Sequence, residues 1–247
     1  MFEAADENGR QFEFGVSGLL FNNNLILYDR RDHRTLYPQM YFTAVEGPRK
    51  RETLTLLPVV ETKWRTWKRL YPDTQVIQKG TYSLGQYSRY PYGDYLTDDA
   101  FLIFRLNPSL GSNPNAYSTQ FGLKDRMLGL RLDGEARAYL FEDMGSEAVI
   151  NDEIGGVNIV VVWDEHSLLA IPFAREVNGE SLTFEMASET GLFPFAFRDV
   201  ETGTLWNISG ESVEGPLVGA RLTQVPAHNS FWFAWVTFWP ETDVWQP

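Results

Sequence analysis

Part of this chain is written twice. The stretch NGRQFEF at 8–14 returns as NGESLTF at 178–184, and Asp29 returns as Asp199. TLY at 35–37 matches TLW at 204–206, VEGP occurs at 45–48 and 213–216, and LTLLP at 54–58 matches LTQVP at 222–226. TKWRTWKRLYPDTQV at 62–76 then aligns with SFWFAWVTFWPETDV at 230–244. With two single-residue gaps, nineteen identities fall in one order over about 70 positions. Self-similarity of that kind reads as an internal duplication, so the two copies are expected to share strand pairing and helix position.

The last aligned stretch predicts one short helix per copy. Thr62 and Ser230 stand where an N-cap hydroxyl accepts from an orphan backbone N–H, and Pro72 and Pro240 stop the pattern. Trp64/Trp232, Trp67/Trp235 and Tyr71/Trp239 recur at i, i+3 and i+7, one helical face, which marks Trp64, Trp67, Trp232 and Trp235 as buried structural anchors. The opposite face differs. Arg65, Thr66, Lys68 and Arg69 become Phe233, Ala234, Val236 and Thr237, and a helix apolar all round is expected to be buried all round, between the copies or under a partner.

Upstream, two-residue turns with glycine second set out hairpins: Asp133-Gly134, Gly155-Gly156 and Asn178-Gly179, each between apolar strands. The fold class that follows is mainly β, with duplicated antiparallel units that each carry one short Trp-bearing helix. Residues 1–78 form a first, incomplete unit, because its counterpart of about 124–170 is missing. Residues 79–123 form a connector rich in Tyr, Gly, Pro, Ser and Asn, with one strand at 100–106, and 124–247 form the complete second unit within one compact domain. An incomplete first unit leaves the strand at 10–16 with an edge that a protein partner, a second copy or the chain itself must cover.

Composition excludes several classes. A net charge of −12 argues against nucleic acid, which needs clustered cations. The exception is residues 48–70, with seven Lys or Arg against Glu52 and Glu61, read as a solvated face or a docking patch for an acidic partner. The apolar run from Phe231 to Trp239 is about half the ~20 residues of a membrane span, and the acidic first ten residues carry no export signal. Without cysteine there is no disulfide or thiolate site. His33, His166 and His228 lack ligand spacing, and Asp94, Asp98 and Asp99 lack a calcium loop's alternation, so no metal or cofactor is expected.

Catalytic signals are equally thin. GVSG at 15–18 is no nucleophile elbow, and Ser17 reads as a turn residue. Asn22–Asn24 turn the chain or, being replaced by Leu192, Phe193 and Pro194 in the second copy, mark a ligand site. Asp29 and Asp199 read as carboxylates that accept turn N–H groups, and Asn151-Asp152 as turn chemistry before Gly155-Gly156. The candidate ligand-binding set is Asn22, Asn24, Asp29, Gln39, Asn151 and Asp152, with no catalytic residue assigned.

Beyond these local readings, the chain resembles a bacterial and archaeal family known only as domain of unknown function three-one-seven-nine. The likeness rests on FGVSGLLFNNNLILYDR (14–30), YPYGDY (90–95), KDRMLGL (124–130), GEARAYL (134–140), VINDEIGG (149–156) and both helix stretches. In that family's pattern the first copy carries a His-Glu pair before Asn-Asp and a strand ending in Cys-Pro-Leu-Cys. Here the matching places read Glu147-Ala148 and WDEHS (163–167), so the resemblance transfers no thiol or metal chemistry. It leans toward an extracytoplasmic location. The expected role is non-catalytic binding or assembly; the alternative is a hydrolase acting on a polar small molecule or glycan at the cleft between the units.

Overall fold

The computed structural model describes residues 3, 5, 9, 11–76, 92–99, 101–102, 121–188 and 191–247. The expected strand at 100–106 and most of the 79–123 connector lie outside the described residues. The first sheet runs β1 (Phe14–Phe21), β2 (Asn24–Asp29) and β3 (Leu36–Pro38), followed by helix α1 (Trp64–Leu70). Next come β4 (Arg126–Leu132), β5 (Glu135–Leu140), β6 (Glu147–Ile154), β7 (Val157–Asp164) and β8 (Leu169–Ala174). A two-residue hairpin, β9 (Glu176–Val177) and β10 (Glu180–Ser181), leads into β11 (Phe184–Met186), β12 (Ala196–Asp199), β13 (Leu205–Asn207) and β14 (Ser212–Glu214). The chain closes with β15 (Thr223–Gln224), β16 (Ala227–Phe231), helix α2 (Trp232–Val236) and β17 (Asp243–Val244).

The sheets are ordered β1-β2-β3, β11-β12-β13-β14, β15-β8-β7-β6 and β16-β4-β5-β17. Among the described residues pairing is antiparallel except β17 on β5. The fold is mainly β, and turn chemistry explains its hairpins. Asp133-Gly134, Gly155-Gly156 and Asn178-Gly179 have positive φ at both positions, as a type I′ turn requires. Asn22-Asn23 does the same between β1 and β2 with φ of 48° and 60°, which asparagine tolerates. Within β1 the register slips between Val16 and Leu20. There Ser17 Oγ donates to the Ile26 carbonyl at 2.6 Å and accepts from Leu19 N–H at 3.1 Å, holding the bulge.

The two aligned segments pair residue for residue. Phe14↔Asp29, Gly15↔Tyr28 and Val16↔Leu27 correspond to Phe184↔Asp199, Glu185↔Arg198 and Met186↔Phe197. Ile26↔Pro38, Leu27↔Tyr37 and Tyr28↔Leu36 correspond to Ala196↔Asn207, Phe197↔Trp206 and Arg198↔Leu205. The bridge Thr43↔Thr53 has its counterpart in Glu211↔Arg221. The helices agree in detail as well. Trp67 Nε1–H donates to Thr74 Oγ1 at 2.9 Å, and Trp235 Nε1–H donates to Thr242 Oγ1 at 2.8 Å.

Each helix packs on the sheet of the other segment. Trp232, Phe233, Trp235 and Val236 of α2 are buried in a cluster with Phe12, Tyr37, Met40, Phe42 and Leu54 of the first segment. Tyr41 stacks on Trp239 at 5.4 Å, and Asn22 Nδ2 donates to the Thr237 carbonyl at 3.4 Å. In return, Val60 and Leu70 pack on the cluster built by Phe173, Phe197, Trp206 and Leu222. Tyr71 and Ser209 share a hydrogen bond at 2.7 Å, and the Arg69 guanidinium lies 3.7 Å from the Phe193 ring centroid. The all-apolar helix is thus buried between the segments; each of its four large side chains contributes roughly 1.5–3 kcal/mol by leaving water.

Two expectations about the helices need correction. Lys63 and Phe231 take the N-cap positions without side-chain capping, and Thr62 Oγ1 donates to the Ser167 carbonyl at 2.7 Å instead. Trp64 is 51% exposed and Trp67 only half-buried, whereas Trp232 and Trp235 are 3% and 0% exposed. The reason is what lies outside each helix. Phe121 meets the Trp232 indole edge-to-face at 4.9 Å, and no described residue does this for Trp64. In α1 the buried residue is Thr66, on the face expected to be polar.

Candidate functional site

The nominated polar residues fall into three separate places. Asn22, Asn24 and Gln39 sit together around the β1–β2 turn. Asn24 Oδ1 accepts from Met40 N–H at 2.7 Å, and Gln39 N–H donates to the Leu25 carbonyl at 2.9 Å while its side chain stays exposed. Asp29 lies at the far end of β2, fully buried, and binds the Arg31 guanidinium and Arg31 N–H at 2.6–2.9 Å. Burial alone would raise its pKa; those Arg31 bonds, with Arg49 nearby, bring it below the ordinary value. Its counterpart Asp199 accepts from Thr202 N–H and Oγ1–H and from Trp206 Nε1–H at 2.9 Å. The sequence marked both aspartates as N–H acceptors; the arginine and tryptophan partners carried no local signal.

Asn151 and Asp152 belong to β6, within the strand rather than in a turn. Asp152 accepts from Tyr139 O–H at 2.6 Å and from Arg137 at 2.9 and 3.1 Å, tying β6 to β5. Burial and that carboxylate both push the Tyr139 phenol upward. Asn151 does something the sequence did not disclose. Its Oδ1 accepts from Phe184 N–H at 2.8 Å, and its Nδ2 donates to the Phe184 carbonyl at 2.7 Å. One carboxamide thereby satisfies both outward backbone groups of Phe184, at the start of the β11 edge.

The first segment has the same edge without the cover. Arg30 N–H donates to the Glu13 carbonyl at 2.8 Å, so alternation along an antiparallel pair turns the N–H and C=O of Phe14 and Val16 away from β2. Among the described residues no strand pairs with β1 on that side, and Phe14's carbonyl has only a 3.4 Å contact from Arg30 Nε. Beside it Val16 is 66% exposed, with Leu19 and Leu20 also exposed. The bulge at Ser17 limits the open, straight part to Phe14–Val16, the length of β11.

One open groove brings Lys63 together with Ser146, Glu147, Asp164, Glu165 and His166, and there Lys63 Nζ donates to the His166 carbonyl. One cavity of about 200 Å³ is lined by Trp67, Tyr71, Phe173, Leu222 and their neighbours, and one of about 170 Å³ by Glu61, Leu128, Ala170, His228 and Asn229. Among the described residues the carboxylates with displaced pKa, Asp29, Asp32 and Glu201, are all displaced downward by hydrogen bonds that outweigh burial, opposite to a proton donor kept neutral. Among the described residues no three His, Cys, Asp or Glu side chains are placed to hold a metal ion, and no helix is long and apolar enough to cross a membrane.

No curated protein and no solved structure shows significant similarity to the chain. A family model matches residues 1–242, so the chain belongs to the family described as a protein of unknown function, DUF3179.

Proposed function

We propose that this is a non-catalytic binding or assembly protein, whose two segments descend from one duplicated unit and whose β1 edge receives a strand from a partner. The carrying observation is the contrast between Phe184, bracketed by Asn151, and Phe14, whose outward groups lack that bracket in a matching register. A strand set beside Phe14–Val16, with a carboxamide opposite Phe14, reproduces for β1 what β6 does for β11. The hydrolase reading finds less support, because the displaced carboxylates are all lowered and Ser17 Oγ is spent on a backbone carbonyl.

The test is a labelled peptide with the β6 sequence EAVINDEI added to the pure protein, alongside light scattering. Binding should disappear with Val16→Pro, which removes an outward N–H and leaves the β2 ladder intact, and with a peptide carrying Ala in place of the asparagine. A dimer that Val16→Pro converts to monomer makes the second copy the strand donor. A monomer that ignores the peptide refutes strand addition.

A further inference from the structure

The outward face of α1 is a second place where the two segments differ. In the second segment, Trp232 is covered by Phe121, and Tyr95, Leu102 and Leu123 pack on the same cluster. The covering backbone is bonded to the helix start, with Trp232 N–H donating to the Asp125 carbonyl at 2.9 Å and Phe233 N–H to the Leu123 carbonyl at 3.0 Å. Part of that cover is an acidic, aromatic stretch, DYLTDD at 94–99 with Phe101 and Leu102, held by Asp99, whose carboxylate accepts from Leu123 and Lys124 N–H.

On α1 the aromatic is kept and its surroundings are changed. Trp64 stands exposed where Trp232 is buried, and Arg65 and Lys68 replace Phe233 and Val236. Lys63 Nζ reaches the His166 carbonyl, Arg65 meets His166 Nε2 at 3.3 Å, and Arg69 lies over Phe193. No carboxylate pairs with Lys63, Arg65, Lys68 or Arg69 among the described residues. Glu147 and Glu165 line a groove on the Lys63 side and bound the patch. An unpaired cationic cluster on a chain of net charge −12 is a local inversion of the protein's field.

We propose that this face docks an acidic segment of another protein that carries an aromatic residue. The aromatic covers the Trp64 indole as Phe121 covers Trp232, and the carboxylates of the same segment meet Arg65 and Lys68. The surface is separate from β1, and the proposal stands or falls independently of strand addition there. A lipid surface is the less favoured occupant, because the matching face of α2 is covered by polypeptide with its backbone engaged.

The probe is a fluorescein-labelled peptide with the sequence of residues 93–102, titrated by anisotropy at low and high salt. The expected result is salt-sensitive binding, weakened at least about tenfold by Trp64→Ala and by Lys68→Glu, and by a peptide with Asn in place of its three aspartates. Both substituted residues are exposed, so the variants fold, and Val16→Pro leaves this binding unchanged. Binding indifferent to Trp64→Ala and Lys68→Glu, or none at millimolar peptide, overturns the proposal. So does co-sedimentation with anionic phosphatidylserine vesicles that depends on these residues while the peptide fails, or a dimer that Lys68→Glu dissolves.

Discussion

Helices α1 and α2 occupy matching places, with the same indole-to-threonine hydrogen bond, yet one lies on the surface and the other in the core. The difference comes from what rests on them. Strands β4 and β5 lie beside β16, and Phe121 and Leu123 of the connector lie over α2; no described residue supplies the equivalent for α1. Residues that set local conformation are shared, and residues that meet a cover change with it: Phe233 and Val236 where there is one, Arg65 and Lys68 where there is not. The outer face of each matched helix thus reports whether it has a neighbour.

Truncating the paired tryptophans should separate the two helices most widely. Trp235→Ala removes a fully buried side chain and should lower unfolding free energy by about 3–5 kcal/mol, whereas Trp67→Ala should cost about 1–2 kcal/mol; equal losses in urea titration would refute unequal burial. The aspartates come next. Asp199→Ala orphans Trp206 Nε1–H in the interior and should cost about 2–4 kcal/mol, while Asp29→Ala removes a carboxylate whose main partner, Arg31, reaches water and should cost about half of that. Thermal melts of the two variants rank them.

Proton linkage adds a pH-dependent effect. His228 stacks on Phe42 at 5.5 Å, its Nε2 is buried without a partner among the described residues, and burial pushes its pKa down to about 4 from 6.5. The unfolded chain takes the proton first, so this contribution is whole above pH 6.5 and falls away as pH drops toward 4. It amounts to about 3 kcal/mol. His228→Phe keeps the stack and should lose less stability than the parent between pH 7 and 4.5. Smallest is Trp64→Ala, expected within about 0.5 kcal/mol of the parent; a loss of several kcal/mol would show that its face is covered.

Much of the fold was legible because its signals are local. Asp133-Gly134 and Asn178-Gly179 dictate backbone signs that only a few residues accept, and the alignment of Phe14 with Phe184 and Asp29 with Asp199 carried the register across. Burial of α2 followed from its having no polar face. What stayed hidden depends on partners distant in sequence. A helix's pattern tells which face is apolar and not which sheet it meets, so the exchange of helices between the segments had no sequence mark, and the exposure of Trp64 contradicts its spacing. Asn151 looked like turn chemistry because an asparagine bracketing a strand 33 residues away leaves no periodic trace.

Amide hydrogen exchange of the pure, monomeric protein tests the central contrast most directly, because Phe14 and Phe184 are matched amides in matched strands. An open β1 edge predicts that Phe14 and Val16 exchange like surface groups while Gly15, paired with β2, and Phe184, held by Asn151, are protected. Protection of Phe14 and Val16 equal to that of Phe184 would mean that the chain already covers its own edge, and it would contradict the reading of β1 as a docking strand.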